Sequence, residues 1–239
     1  MIHRVFICLL ILSGSLFAND RAVNYVGAML HSLDAIQTIQ CDVTNRVIDS
    51  GKRSTQNYHL IADQKYALTT FKVPTKITVV KNKKGFFVVT KGDAQKQPKG
   101  KPFPVDLPHR FLSNLNLKDI TENYSFIVSS ENADTVVINI VPIDASPVGN
   151  DDQVTLLRLS INKSRALLER VDIFKNNSFK SNDFVRFEYA LIGTISVLKH
   201  SYSYSRRTDS NPPKVYINEN TYSQIILNQK LSDDDFDVL

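Results

Sequence analysis

From residue 39 almost to the C-terminus the chain alternates apolar and polar side chains with a period of two, in one run after another. Ile39, Cys41, Val43 and Val47 alternate with Gln40, Asp42, Thr44 and Arg46, the pattern of a strand with one covered face. Similar runs follow at Tyr58–Ile61, Tyr66–Phe71, Lys76–Val80, Phe86–Thr90, Tyr124–Ser129, Thr135–Val141, Val154–Ile161, Leu167–Phe174, Phe184–Ala190, Ile195–Tyr204 and Val215–Ile226. Gly, Asn, Asp and Pro turn signals separate them, and Asn82-Lys83-Lys84-Gly85 reads as a short hairpin turn. Roughly eleven strands in succession with no helix between them exclude a parallel sheet, whose crossovers need helices, and imply an antiparallel meander. A sheet of that length must curl, so an incomplete barrel is expected.

Two segments depart from this pattern. Between Val23 and Ile39 the apolar residues Val26, Met29, Leu30, Leu33, Ile36 and Ile39 recur at three- and four-residue steps, with Asn19 or Asp20 as N-cap; this predicts an amphipathic helix docked on the sheet. Ala94–Pro108 is a loop punctuated by Lys and Pro, and Pro108 opens a short apolar segment to Leu115. Pro suits the first position of a helix, so this segment is the candidate lid. The expected fold class is therefore α+β: a strongly curved antiparallel sheet covered by an N-terminal helix and a short lid helix.

His3 and Arg4, the apolar run Val5–Leu12 and the Leu16-Phe17-Ala18 ending have the order of a cleaved export signal over residues 1–18. The run is shorter than the roughly 20 residues that span a bilayer. Cys8 lies inside it and is expected to leave with it. A single domain over 19–239 is then expected, with Cys41 as its one thiol and no internal disulfide. The composition, 42% hydrophobic and 22% charged, excludes wholesale disorder. Lys and Arg number 29 against 24 Asp and Glu, without the dense basic runs of a nucleic-acid-binding protein.

Catalytic signatures are missing from the sequence. The five histidines are isolated and show no zinc spacing such as HExxH, and there is no GxSxG, phosphate loop or GxGxxG. Neither a metal nor a cofactor nor an enzymatic activity is expected. Asp233-Asp234-Asp235 reads as a solvated edge. Cys41 shares a face with Ile39 and Val43, so it is expected inside and unreactive.

What remains is an apolar concavity. Phe71, Ile77, Val79, Phe87, Val89, Val137 and Leu157, with Phe111 and Leu112 of the candidate lid, are the expected lining residues for an apolar ligand. Lys81, Lys83 and Lys84 at the hairpin form a candidate docking patch for anionic headgroups or an acidic membrane partner.

The order of elements, with the stretch Tyr66–Val80, the hairpin Asn82–Val88, the Pro108–Leu115 segment, Leu167–Phe174 and the closing Leu231–Phe236, resembles the periplasmic carrier LolA and the related outer-membrane lipoprotein-sorting proteins. The resemblance covers almost the whole chain after the signal. It implies a periplasmic monomer without cofactor, whose cavity holds lipoprotein acyl chains or another lipid. It further implies an inner-membrane release complex and an outer-membrane acceptor as partners. Ala62-Asp63-Gln64 stands where the family commonly has Arg-Pro, and Leu191–Tyr222 reads as extra strands of the longer sorting-protein branch. The same fold also serves periplasmic sensors that bind lipid or protein signals, which is the alternative function.

Overall fold

The structure, a computed structural model, describes residues 20–33, 35–63, 67–71, 77–90, 93–96, 124–143, 154–175, 183–207 and 213–237. The expected signal at 1–18 and the expected lid helix over 108–115, with Phe111 and Leu112, lie outside these residues.

Residues 20–33 form helix α1. Thirteen strands follow among the described residues: β1 (Thr38–Asp49), β2 (Lys52–Asp63), β3 (Ala67–Phe71), β4 (Ile77–Asn82), β5 (Gly85–Thr90), β6 (Asp93–Lys96), β7 (Tyr124–Glu131), β8 (Thr135–Pro142), β9 (Val154–Asn162), β10 (Leu167–Lys175), β11 (Asp183–Ile192), β12 (Ile195–Arg207) and β13 (Lys214–Leu227). A 3-10 turn, Asp233–Phe236, is the last element among the described residues. The chain divides into two compact units, one from Met1–Leu33 and Leu115–Arg186, the other from Asp34–Asn114 and Phe187–Leu239; β11 contributes to both.

In the helix unit the strand order is β11-β10-β9-β8-β7, and the resolved pairings are antiparallel. Val136, Ile138 and Ile140 on β8 and Leu159 and Ile161 on β9 are buried. The register places Val136 opposite Ile161 and Ile138 opposite Leu159, so they share one face. Ala22, Val26, Met29 and Leu33 form the buried stripe of α1. Two polar ties hold the helix in place: Tyr25 donates to Glu131 at 3.0 Å and Ser32 donates to the Ala166 carbonyl at 2.9 Å.

In the long-strand unit the order is β6-β5-β4-β3-β2-β1-β13-β12-β11. Ser50 and Gly51 turn β1 into β2 with positive φ at both positions, the two-residue hairpin geometry that matches strand twist. The strands here are long: β1 and β2 have 12 residues each, β12 has 13 and β13 has 14.

Two differences from the sequence reading have clear causes. The helix ends by Leu33 and not at Ile39, because Asn228 beyond β13 takes over the next peptide groups. Its side chain accepts from the Gln37 and Thr38 amides and donates to the Ala35 carbonyl. Ile36 and Ile39 consequently pack into the long-strand core. The second difference is β6, which takes Ala94–Lys96 from the expected loop. All four residues of β6 are exposed, so no apolar alternation marks it, and the ladder to β5 alone defines it. With β6 added to the twelve runs of alternation, the described residues contain thirteen strands.

Candidate functional site

The β1–β4 ladder of the long-strand unit builds two different faces. Directly paired residues point to the same side of a sheet, and the register pairs Val43 with Tyr58, Cys41 with Leu60 and Ile39 with Ala62. Phe71 lies opposite Tyr58, Thr69 opposite Leu60 and Ala67 opposite Ala62. Tyr222 joins this side through Val43. The result is one buried apolar surface on which the Tyr58 and Phe71 rings sit 5.1 Å apart at 51°.

Thr69 is the polar exception within it. The residue is fully buried between Leu60 and Val79, and its hydroxyl has no hydrogen-bond partner among the described residues. A buried hydroxyl without a partner costs about 1–3 kcal/mol, so a ligand acceptor at this point would satisfy it. Cys41 on the same face is fully buried, and its thiol is pushed up to about 12 by burial and, secondarily, by the charge of Asp42.

Past Val43 the same face turns polar. Asn45 donates its side-chain amide to Asn218 and, at 2.7 Å, to Asn220, which donates onward to the Ser201 hydroxyl at 3.2 Å. The alternating Asn218, Asn220 and Ser201, Ser203 positions carry this polar stripe in the sequence, as a period of two written in amides and hydroxyls and not in apolar side chains.

On the opposite face of β3–β5 the segment Leu231–Phe236 packs against the strands. Phe236 is buried against Leu68 and Val80, with Ile61, Phe87 and Leu231 packed around them. Ser232 donates its amide to Asp235 at 2.7 Å, which stabilises the turn. Asn82 donates to the Phe236 carbonyl at 2.9 Å. Lys83 pairs with Asp233 at 3.1 Å and Lys84 with Asp237 at 2.8 Å. Asp233, Asp234 and Asp235 are exposed, as expected of a solvated edge, and through Asp233, Phe236 and Asp237 the same segment clasps the hairpin.

This geometry sorts the expected site residues. Phe71, Ile77 and Val79 lie on the face of Leu60 and Tyr58. Val79 pairs with Val88 and Val80 with Phe87, so Phe87 and Val89 point to the other side, where Phe87 meets the tail cluster. In the helix unit Leu157 pairs with Ile140 on the face shared with Ile138, whereas Val137 pairs with Ser160 on the reverse face. The expected docking lysines also separate. Lys83 and Lys84 are bound to the tail, while Lys81, paired in register with Ala67, is exposed on the other face.

His59 contacts Asp42 at 2.9 Å, and His200 contacts Glu219 at 3.0 Å. Among the described residues no group of three or more His, Cys, Asp or Glu side chains is arranged to hold a metal ion. No helix among them is long and apolar enough to cross a membrane.

No family model matches the sequence, and no curated protein matches it significantly. Solved structures do match in fold. A DUF1329 family protein from Desulfovibrio piger superposes with a TM-score of 0.62 at 16% identity, over 92% of this chain and 98% of that one. An outer membrane lipoprotein-sorting protein domain from Vibrio parahaemolyticus gives 0.59 at 12% identity, over 91% and 97%. A LolA superfamily protein from Nitrosomonas europaea gives 0.57 at 13% identity, over 89% and 97%. This antiparallel chain with its single N-terminal helix among the described residues therefore has the fold found in LolA superfamily, DUF1329 and lipoprotein-sorting proteins.

Proposed function

We propose that the protein is an exported LolA-like carrier that shelters the acyl chains of lipoproteins on the apolar face of the long-strand unit, in transit to the outer membrane. The observation that carries this reading is that face itself: contiguous buried hydrocarbon from β1, β2, β3 and β13, with the orphan hydroxyl of Thr69 set within it among the described residues. The fold likeness to a lipoprotein-sorting domain supports it as an analogy of architecture. An acyl ester has the matching chemistry, a long alkyl chain for Leu60, Tyr58 and Phe71 and a carbonyl to accept from Thr69. Each methylene buried contributes about 0.8 kcal/mol, so roughly ten offset several kcal/mol of opening and ordering.

In this reading the protein is a periplasmic monomer released from its signal after Ala18, with neither catalysis nor a cofactor. An inner-membrane complex loads it and an outer-membrane acceptor unloads it. The test is uptake of a fluorescent fatty acid, and of lipoprotein released from inner-membrane vesicles, by the purified protein. Uptake is expected for the parent and lost in Phe71→Glu. A folded protein that takes up neither ligand would end the carrier reading.

A further inference from the structure

The contact between the segment Leu231–Asp237 and the β4–β5 hairpin has the anatomy of a seated peptide, one buried aromatic anchor inside a polar rim. Ile61 pairs with Leu68, Leu68 with Val80 and Val80 with Phe87, so β2, β3, β4 and β5 lay one row of apolar side chains across the sheet. Phe236 packs on this row and is only 1% exposed. The segment itself stands outside the strand ladder, as a 3-10 turn. The seat is thus built by the sheet and not by its occupant.

The rim reads the occupant at fixed positions. The Asn82 side-chain amide donates to the Phe236 carbonyl at 2.9 Å. Lys84 pairs with Asp237, one residue after the ring, at 2.8 Å, and Lys83 with Asp233, three residues before it, at 3.1 Å. Asp235 is spent inside the segment, accepting from the Ser232 amide and hydroxyl. Lysines alone would take any anion; the apolar row beside them restricts the occupant to one that also buries a ring. The Lys83 and Asp233 side chains are 60% and 55% exposed, so their ion pair sets register and adds little holding strength. A segment held chiefly by one ring opens locally at far less cost than the sheet unfolds.

We propose that this seat docks a protein partner presenting an aromatic side chain with a carboxylate three residues before it and another one residue after, and that Leu231–Asp237 fills the seat in cis until such a partner displaces it. The seated segment is the template for that partner, since it shows which chemistry satisfies the ring, carbonyl and carboxylate positions together. A tethered occupant competes at an effective concentration of about a millimolar. Exchange therefore requires the same pattern plus contacts beyond it, which excludes acidic surfaces that offer charge without a ring. Leu68 and Thr69 are neighbours on β3 and point to opposite faces, so the seat is separate from the acyl-chain face.

The experiment uses the isotope-labelled full chain and a capped peptide of residues 231–237, with binding read from the amide signals of Asn82, Lys83 and Lys84. In Phe236→Ala, whose own segment no longer fills the seat, the peptide is expected to bind saturably and at least about tenfold more tightly than in the parent. The peptide carrying Phe236→Ala should lose at least about a hundredfold, and the peptide carrying Asp233→Asn with Asp237→Asn about fivefold. In the parent, which needs no variant to fold, excess peptide is expected to speed proteolysis after Leu231, and the Phe236→Ala peptide is not. No binding to the folded variant, or unchanged proteolysis of the parent, would overturn the proposal. Equal binding by the Phe236→Ala peptide would overturn it in favour of a general anion contact. Equal binding by the double Asn peptide would overturn it in favour of a purely apolar one.

Discussion

Tyr25 on α1 donates its hydroxyl hydrogen to Glu131 at the end of β7, at 3.0 Å and across 106 residues of sequence. The same carboxylate pairs with Lys163 at 2.7 Å and Arg21 at 2.8 Å, so one acid joins the helix, the β7–β8 hairpin and the β9–β10 turn. The bond from Lys163, then those from Tyr25 and the charge of Arg21, hold the Glu131 carboxyl below the usual range against the opposing effect of burial.

Because the folded-state value is depressed, the stabilisation from Glu131 is fully present above the unfolded value of about 4.3 and is lost as pH falls through the folded one. Glu131→Gln is expected to be less stable than the parent at neutral pH. The two urea midpoints should converge as pH drops below about 4. A constant difference down to acid pH would show that the charge is not what matters.

Cys41 is expected to resist thiol reagents in the folded protein, since burial keeps it neutral. A raised folded-state value gives stability that is present below the unfolded value of about 8.5 and declines as pH rises above it. Relative to Cys41→Ala, the parent should therefore lose stability at alkaline pH. Labelling as fast as a free thiol at neutral pH would contradict the placement.

Phe236 anchors the tail, and its side-chain burial makes Phe236→Ala costly, about 3–5 kcal/mol for that contact. Lys84→Ala removes only an exposed ion pair and is expected to cost less than about 1 kcal/mol. Limited proteolysis should cut the tail after Leu231 rapidly in the first variant and not in the second. Rapid cutting in Lys84→Ala with Phe236→Ala still protected would show that the clasp is electrostatic.

Thr69→Val removes the orphan hydroxyl at nearly constant volume. The unloaded protein should gain roughly 1 kcal/mol of stability, while an ester lipid should bind more weakly than it does to the parent and an alkane chain should not. Denaturation and ligand titration read the two effects separately. Unchanged preference for ester over alkane would remove Thr69 from the ligand contact.

Phe71→Glu and Val89→Glu test the face assignment, because the two residues lie on opposite sides of the ladder. Acyl uptake is expected to be lost in the first and kept in the second. Loss in both, with both variants folded, would mean that the ligand does not use the Tyr58 side.

The sequence by itself determined most of the strands, because a period of two is written locally; it marks β2 only from Tyr58 onward, where one face becomes buried, and leaves β6 unmarked. It also determined that Cys41 points inward with Ile39 and Val43, and that Lys83-Lys84 turns a hairpin. The start of α1 was legible in its apolar stripe; its end was not, since Asn228, nearly two hundred residues away in the chain, takes the peptide groups of Ala35, Gln37 and Thr38. Alternation assigns sides within one strand only, and a shift of one residue reverses the next strand. Carrying the Asn82–Gly85 pair back along the hairpin would have placed Val79 opposite Val88 and sent Phe87 to the far face. No such local route existed for the rest. The clasp of Asp233 and Phe236 on the hairpin, the silent strand β6 and the bonds from Asn45 to Asn218 and Asn220 are pairings between segments whose own sequences do not name their partners. Only tertiary structure decided them, because polar and ring contacts depend on distance in space, which register and chain return set.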